Sequence, residues 1–488
     1  MRQCLTSDLG GYYTTRSDPS SDQFGSKGDF VTSPEISQVF GELIGVWVVA
    51  EWMAQGKKSE GVYIMEVGPG RGTLMDDILR TIRNFKGLAG AIETVYLVEA
   101  SPGLRERQHK LLCGEGSKME EIESGWTARC KYDNQIKIVW YEDIHSVPKD
   151  ASKTPFIVAH EFFDALPVHV FQSISPTGET STITTSSSAP NLSAPPGQRR
   201  LPQQNQWREL MVSPVSPYSK PTITSVTDPS TTRSDPKPEF ELTLSKTQTP
   251  HAAFLPTQSD RYRSLVRQTG SIIEISPDSL ACAADFAIRI GGAPVQSAAA
   301  SRFGSLSSDA PPQSSKPIPS GAALILDYGP AATIPTNSLR GIKAHKPVSP
   351  FIEAGRVDLS ADVDFIALAE SAIAASPGVE VHGPAEQGAF LQAMGGQARV
   401  DALVRQANSK LWKRENEEGG LSKVGVEELR GLEEGKERIE GGWRRLVDRG
   451  VQGMGRIYKV LAIVPYLPMA EGQKTKRRPV GFGGDVEV

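Results

Sequence analysis

The sequence predicts an α/β fold built on a doubly wound, parallel sheet. Across residues 61–159, short apolar runs alternate with segments of helical periodicity, which is the pattern of successive βαβ units. The first apolar run, residues 62–67, leads into glycine at every second position (Gly68, Gly70 and Gly72) and then into a helical segment. A strand that turns tightly into a helix through glycines is typical of the ligand-binding edge of such a sheet.

The elements follow from apolar periodicity and from capping residues. A buried helix is predicted over residues 39–53, with Ser33 as its N-terminal cap and Pro34 in its first turn. Strands are predicted over residues 62–67, 95–98, 136–141, 156–159, 168–174, 207–212, 271–275, 322–326 and 455–464, and helices over 73–85 and 102–112. Helical spacing in residues 361–405 predicts a helical cap over the strand ends.

The composition indicates disordered insertions within an ordered enzyme-sized core. Only 38% of the 488 residues are hydrophobic, which is low for a globular protein. Residues 173–258 and 293–320 are rich in Ser, Thr and Pro, and such segments bury too little apolar area to offset the entropy lost on ordering. Both are therefore predicted to be disordered insertions in loops.

Charge and apolar patterning exclude several classes of function. A formal net charge of -4 gives no basic surface for nucleic acid. The longest apolar stretch, residues 39–53, is interrupted by Glu42 and Glu51 and is too short to span a membrane. The first fifteen residues lack an Arg-rich amphipathic leader and a secretory core, so no targeting signal is visible.

The four cysteines have no metal-binding or disulfide pattern. Cys4, Cys113, Cys130 and Cys282 are scattered without a C-x-x-C spacing, so no zinc site or disulfide framework is predicted. This usage fits a reducing compartment.

The glycine turn and three acids predict a site for S-adenosylmethionine. The spacing G-x-G-x-G differs from the G-x-G-x-x-G turn that binds pyrophosphate. Glu66, just before the turn, suits a ligand that carries an ammonium and a sulfonium. Glu99 ends the next apolar run, where an acid accepts hydrogen bonds from ribose hydroxyls, and Asp143 follows a third run and could receive the adenine amino group.

A second acidic motif predicts a site for a cationic methyl acceptor. In HEFFDALP, Glu161 and Asp164 follow the carboxyl end of a predicted strand, the edge of an open α/β sheet where ligands bind. Two carboxylates can hold a guanidinium group through paired hydrogen bonds. The alternative is that the two acids cap the next turn or bind the cofactor. His160 is predicted to be structural.

Several long motifs carry a family resemblance. They are GYYTT, KGDFVTSPEISQVFGELIGVW, MEVGPGRGTLMDDILR, YLVEASPGLRERQ, AHEFFDALPVHVFQ, WRELMV, LILDYGP, SLRGIKAHK and DLSADVDF, in that order. With them the chain resembles the MidA-like mitochondrial protein arginine methyltransferases, which act as complex I assembly factors. The likeness covers most of residues 1–171, then patches up to residue 210 and between about residues 271 and 464.

The resemblance implies a class I S-adenosyl-L-methionine-dependent methyltransferase with a Rossmann-like sheet. It implies symmetric dimethylation of an arginine on a complex I core subunit, the large subunit of the iron-sulfur region, by a type II enzyme in the mitochondrial matrix. It assigns the cofactor to Glu66, Gly68, Gly70, Gly72 and Glu99, with Thr32, Ser33, Pro34 and Glu35 beside it, and the substrate arginine to Glu161 and Asp164.

These inferences divide the chain into seven segments. They are 1–60 (helical and loop segment beside the cofactor), 61–172 (first half of the core), 173–260 (insertion with short strands), 261–330 (second half of the core, with 293–320 disordered), 331–450 (helical cap and substrate region), 451–466 (terminal strand) and 467–488 (tail). No metal is predicted. The alternatives are a noncatalytic assembly scaffold that binds the cofactor, a methyltransferase for another substrate, and a nicotinamide-dependent oxidoreductase, which the glycine spacing disfavours.

Overall fold

The computed structural model describes residues 1–14, 31–175, 204–215, 237–295, 313–417, 423–468 and 476–483. Residues 176–203 and 216–236 of the first Ser/Thr/Pro-rich insertion, residues 296–312 of the second and parts of the C-terminal tail lie outside these residues. The disorder predicted for them is therefore not tested there.

The described strands are numbered here in chain order. They are β1 (Val62–Val67), β2 (Ile92–Val98), β3 (Glu120–Ile122), β4 (Gly125–Arg129), β5 (Lys137–Tyr141), β6 (Thr154–His160), β7 (His169–Ile174), β8 (Gln206–Pro214), β9 (Phe240–Leu244), β10 (Ile272–Ile275), β11 (Pro294–Val295), β12 (Gln313–Ser314), β13 (Ala322–Tyr328), β14 (Arg340–Lys343), β15 (Lys346–Val348), β16 (Asp358–Ser360), β17 (Val379–Glu386) and β18 (Tyr458–Pro465).

The described helices are numbered in the same way. They are α1 (Arg2–Thr6), α2 (Ser33–Ile36), α3 (Gln38–Ala54), α4 (Thr73–Ile82), α5 (Lys86–Ala91), α6 (Pro102–Cys113), α7 (Pro250–Phe254), α8 (Asp260–Leu265), α9 (Pro277–Gly291), α10 (Phe365–Ala375), α11 (Gln387–Ala393), α12 (Gly396–Glu417) and α13 (Lys423–Val447). Short 3₁₀ turns cover Ile144–Ser146, Phe163–Ala165 and Leu255–Thr257.

The central sheet has nine strands in the order β17-β18-β13-β6-β1-β2-β5-β4-β3. The five strands β13, β6, β1, β2 and β5 are parallel, so their carboxyl ends meet at one edge. β18 runs antiparallel between β13 and β17. The chain order reverses on either side of β1, which makes this edge the topological switch point where ligands bind in open α/β sheets.

Helices cover both faces of the sheet, as the predicted doubly wound class requires. On β1, Ile64 packs into one core with α3 and α4, while its neighbours Tyr63 and Met65 pack into a second core with α9 and α10. Successive side chains on a strand point to opposite faces, so a central strand covered on both faces is apolar along its length. This explains the nearly continuous apolar run of β1, which is interrupted by Glu66.

A second, antiparallel sheet has the order β10-β7-β8-β9 and packs against α7 and α8 around Phe171, Trp207 and Tyr262. β8 and β9 lie within residues 173–260, so the described part of this segment is more structured than its composition indicates. A third small sheet has the order β15-β14-β16.

Two helix boundaries predicted from the sequence need correction. Ser33 does not cap the long helix: Ser37 does, by accepting a hydrogen bond from the Val39 amide, and Ser33 instead begins the separate short helix α2. The predicted helix 73–85 ends at Ile82 and is followed by α5. The two Ser residues are four positions apart in TSPEIS, and local signals did not distinguish them.

The region 331–450 is also not purely helical. It contains the small third sheet and β17, an edge strand of the central sheet. Within 293–320, β11 pairs with β12, and the buried Lys316 donates hydrogen bonds to the carbonyls of Lys153, Arg289 and Ser320. The ends of this predicted disordered insertion are therefore ordered.

Candidate active site

A cavity of about 830 Å³ opens at the carboxyl edge of the parallel strands. It is lined by these predicted site residues: Thr32, Pro34, Glu35, Glu66, Gly68, Gly70, Glu99, Asp143, Glu161 and Asp164. The glycine turn and the HEFFDALP motif therefore face one space. Ser33 and Gly72 are not part of the lining.

The glycine turn requires backbone conformations that other residues rarely adopt. Gly68, Gly70 and Gly72 have φ angles of 65°, 54° and 85°. A Cβ atom on Gly68 would lie 2.8 Å from the Phe162 ring, so the turn packs directly against the HEFFDALP segment. Gly72 is the N-cap residue of α4 and lies against Gln108, which gives it a role in the shape of the turn.

Glu66 is a buried carboxylate with an unused acceptor. Its Oε2 atom has no hydrogen-bond partner among the described residues, and its side chain faces the cavity. Burial, with the nearby Glu99 carboxylate as a second cause, raises the pKa of Glu66 to about 8. A ligand cation beside it would restore the ionised form and use the free oxygen.

Glu99 is held by its neighbours at the end of β2. Its carboxylate accepts hydrogen bonds from the Ser101 amide at 2.9 Å and from Gln108 Nε2 at 3.1 Å. Burial raises its pKa to about 7, although both hydrogen bonds act in the opposite direction. Gln108 also donates to the Gly70 carbonyl at 2.6 Å, so one side chain ties the predicted ribose acid to the glycine turn.

Asp143 lies at the rim of the same cavity. Its side chain is 63% exposed, and it accepts a hydrogen bond from the His145 amide at the start of a 3₁₀ turn. Its position after β5 agrees with the predicted place for adenine, and its assignment to the adenine amino group stays a prediction.

The TSPE segment reaches the glycine turn through an ion pair. Glu35 Oε1 lies 3.0 Å from Arg71 Nη1, within the turn GPGRG. Thr32 precedes α2, and Pro34 lies in its first turn. The Ser33 side chain is buried away from the cavity, and its Oγ atom has no hydrogen-bond partner among the described residues.

Asp327, at the end of β13, holds the HEFFDALP segment in place. Its Oδ2 atom accepts hydrogen bonds from the amides of Phe162, Phe163 and Asp164, at 3.1, 2.9 and 3.3 Å. The Glu161 amide donates to the Leu326 carbonyl, and Glu161 itself has a φ of 49°, in the left-handed region. The segment is therefore fixed by backbone contacts that do not use the Glu161 and Asp164 side chains.

Glu161 and Asp164 each have a buried carboxylate oxygen that makes no hydrogen bond to the described residues. Glu161 Oε1 and Asp164 Oδ1 are buried and have no hydrogen-bond partner among the described residues. His160 Nε2 lies 3.1 Å from Glu161 Oε1, without the alignment of a hydrogen bond. Two acceptors of this kind beside a cavity suit a cationic ligand with several N–H donors.

Sequence reasoning missed the residues that control Asp164. Tyr328 donates a hydrogen bond to Asp164 Oδ2 at 2.5 Å and also contacts Ser360, and the Arg340 guanidinium lies 4.7 Å above the Tyr328 ring. Burial and the Glu161 charge raise the pKa of Asp164 to about 6, while Tyr328 and Arg340 lower it. The available signal was LILDYGP, an apolar run that ends in an acid as β1 does.

Comparisons with known proteins agree with this geometry. The profile of the S-adenosyl-L-methionine-dependent methyltransferase family matches residues 43–385. The chain belongs to this methyltransferase family. Its cofactor is therefore S-adenosyl-L-methionine, which argues against the nicotinamide-dependent oxidoreductase.

Two curated relatives extend the match over most of the chain. The NDUFAF7 homologue of Drosophila melanogaster, a mitochondrial protein arginine methyltransferase, is 32% identical over 95% of this chain and 80% of its own length. Human mitochondrial protein arginine methyltransferase NDUFAF7 is 34% identical over 84% of this chain and 71% of its own length. By this resemblance the methyltransferase is mitochondrial.

A solved structure shares the fold. A protein from Burkholderia thailandensis, crystallised with S-adenosyl-homocysteine, matches with a TM-score of 0.57 at 16% identity, over 95% of this chain and 86% of its own. The predicted class I, Rossmann-like fold of the methyltransferase is thus confirmed. In the described part of the chain, no helix combines the length and apolar character needed to cross a membrane.

The residues present fit the methyltransferase cofactor. The unpartnered, buried Glu66 oxygen suits an ammonium group, and the glycine turn leaves space that a side chain would fill. Glu99, anchored by Ser101 and Gln108, retains lone pairs that suit ribose hydroxyls. We assign the binding of the cofactor to these elements as a prediction.

Proposed function

We propose that this methyltransferase modifies an arginine side chain of a protein, by symmetric dimethylation of a complex I core subunit in the mitochondrial matrix. The subunit is the large one of the iron-sulfur region, and the modification serves complex I assembly. The names of the relatives support an arginine substrate. The observation that carries the proposal is the pair of buried oxygens on Glu161 and Asp164 that have no hydrogen-bond partner among the described residues and share a cavity with Glu66 and Glu99.

The two acids bind and orient the guanidinium group. A guanidinium has five N–H donors in a planar fork, and carboxylates pair with it in a fixed orientation. Glu161 and Asp164 engage the nitrogens that are not methylated and draw the positive charge toward them. When bound, S-adenosyl-L-methionine supplies an electrophilic methyl group on its sulfonium. The remaining nitrogen would face that methyl group in line with the sulfur, so that the N–C bond forms as the S–C bond breaks and S-adenosyl-homocysteine leaves.

Proton transfer accompanies or follows methyl transfer. The guanidinium pKa lies above about 12, so removal of its proton beforehand is costly. As the methyl group adds, the guanidinium would become doubly charged, so a carboxylate that is hydrogen-bonded to one of its N–H groups can accept the proton of that group. Asp164, whose pKa is about 6, is suited to accept it and release it to solvent at matrix pH.

The Glu161→Gln variant tests this proposal. It keeps the shape of the site and removes one negative charge, so it should bind S-adenosyl-homocysteine like the wild type and lose methyl transfer. Cells that lack the protein are complemented with either form, and peptides of the complex I subunits are analysed by mass spectrometry for symmetric dimethylarginine.

Each outcome separates the candidate functions. Dimethylation restored by the wild type and absent with Glu161→Gln supports the proposal. Normal complex I assembly with Glu161→Gln would favour a noncatalytic, cofactor-binding scaffold. Methylation that depends on Glu161 but occurs on another protein would leave the chemistry in place and replace the substrate.

A further inference from the structure

A cluster of metal-ligating side chains lies on the second sheet, outside the cavity lining. His169 on β7, Glu209 on β8 and His251 on α7 place one ligand atom each within 4.8 Å of one another. His169 Nδ1 lies 2.6 Å from Glu209 Oε1, and the His169 and His251 rings have centroids 4.3 Å apart. Two imidazoles and one carboxylate in such proximity form a donor set that zinc commonly uses.

The carboxylate of this cluster is prepared to bind a cation. Glu209 is buried, and Thr249 donates a hydrogen bond to its Oε2 atom at 2.5 Å. This hydrogen bond orients the carboxylate so that its Oε1 atom faces the His169 ring.

The distances between the three ligand atoms allow an ion to bind after small movements of the side chains. Ligand atoms around a tetrahedral zinc, each about 2.0–2.1 Å from the metal, lie roughly 3.4 Å apart. His169 Nδ1 and Glu209 Oε1, 2.6 Å apart, therefore separate by about 0.8 Å when zinc replaces the hydrogen bond between them. The His251 side chain is exposed, so its ring can rotate toward the other two ligands, and water can serve as the fourth ligand. His169 stacks on Phe171 with its ring plane 9° from parallel, so the other imidazole is held in place by packing.

We propose that His169, Glu209 and His251 bind one Zn²⁺ ion, which fastens β7, β8 and α7 together. The three ligands lie far apart in the sequence, within and beside the Ser/Thr/Pro-rich insertion. Glu209 is 40 residues from His169 and 42 from His251. Cross-links that close long loops remove the most entropy from the unfolded chain. Zinc thus stabilises β7, β8 and α7 in a region whose composition alone favours disorder.

In the sequence, the proposed zinc site lies next to the HEFFDALP segment. β7 begins at His169, two residues after Pro167, which lines the active-site cavity. Zinc therefore anchors the strand that directly follows HEFFDALP. The cysteines take no part, which is why the absence of a C-x-x-C spacing gave no indication of this site.

Titration of the full, metal-stripped chain with Zn²⁺ tests the proposal. Isothermal titration calorimetry should show one equivalent bound by the wild type, and zinc should raise its thermal unfolding midpoint. His251→Ala, at an exposed position, should lose both effects. Thr249→Val, which removes the hydrogen bond to Glu209, should bind zinc about tenfold more weakly.

A matched control is His382→Ala, because His382 lies 3.2 Å from Glu380 without belonging to the cluster. It should bind zinc like the wild type. Co²⁺ in place of zinc should give visible d–d bands without a sulfur-to-metal charge-transfer band. Absence of stoichiometric binding, unchanged affinity in His251→Ala, or a sulfur band from one of the cysteines would each overturn the assignment.

Discussion

Tyr328, the last residue of β13, donates a hydrogen bond to Asp164 at 2.5 Å, across 164 positions of sequence. The same strand provides Asp327, which accepts the three backbone amides of the HEFFDALP segment. The end of β13 therefore fixes the backbone of the HEFFDALP segment and also influences the protonation of Asp164, the proposed substrate-binding acid. Tyr328 is a positioning residue, because it acts through Asp164.

Tyr328→Phe should shift the pH dependence of methylation. The Tyr328 hydrogen bond lowers the pKa of Asp164, which burial raises to about 6. Its loss raises that pKa further, so the acid limb of kcat/KM for a substrate peptide should move to higher pH while activity well above it is retained. Tyr466→Phe, at an exposed position, is the control. A uniform loss of activity at all pH values would indicate a purely structural role.

Binding of the cofactor product should release a proton from Glu66. At about pH 7.5, Glu66 is mostly protonated because its pKa is about 8, whereas Glu99, with a pKa of about 7, is mostly ionised. The ammonium group of S-adenosyl-homocysteine favours the ionised form of Glu66. Calorimetry in two buffers of different ionisation enthalpy should therefore detect proton release.

Glu66→Gln is the matched variant for that measurement. It should abolish most of the proton release and weaken binding roughly 10- to 100-fold, the range for loss of a hydrogen bond to a charged group. Glu99→Gln should retain part of the release, because burial still raises the pKa of Glu66 after the contribution of the Glu99 charge is removed. Equal proton release by the wild type and Glu66→Gln would remove Glu66 from the ammonium site.

The same carboxyl group should make the ligand-free protein less stable at alkaline pH. A folded pKa of about 8, raised from 4.5, means that the folded state binds more protons than the unfolded state between these values. The contribution of Glu66 to the free energy of unfolding is full below about pH 4.5 and is lost as pH rises through about 8. Between pH 5.5 and pH 8, the free energy of unfolding measured in urea should decrease less for Glu66→Gln than for the wild type. Equal decreases in the two proteins would contradict the assigned pKa.

Gly70→Val should abolish cofactor binding. Gly70 has a φ of 54° and lines the cavity, so valine adds both backbone strain and a branched side chain at the ligand surface. Gly270→Val is a stringent control: its φ is 88°, and a Cβ there meets open space. Both variants should lose some thermal stability, but only Gly70→Val should lose S-adenosyl-homocysteine binding by fluorescence quenching. Loss of S-adenosyl-homocysteine binding in both variants would indicate unfolding.

The sequence predicted those parts of the fold that depend on local pattern. The central strands β1, β2, β6 and β13 are apolar runs that end at acids or glycines, and this alone placed Glu66, Glu99 and the HEFFDALP acids on one edge. β17 was missed because it is an edge strand, interrupted by Gly383 and Pro384.

The missed site residues depend on contacts between distant segments. Nothing local to Asp327 or Tyr328 indicates that they hold a loop more than 160 positions earlier. The same applies to His169, Glu209 and His251, which become neighbours only when β7, β8 and α7 pack together. Acids at strand ends have a local signal, whereas partners across the fold do not.

The central claim is that cofactor and substrate arginine share the cavity at the carboxyl edge of the sheet. A crystal structure with S-adenosyl-homocysteine and an arginine-containing substrate peptide tests it most directly. We expect the amino acid moiety of the ligand beside Glu66, its ribose at Glu99, and the guanidinium between Glu161 and Asp164. An empty glycine turn, or a guanidinium bound elsewhere with Glu161 and Asp164 turned away, would contradict the account.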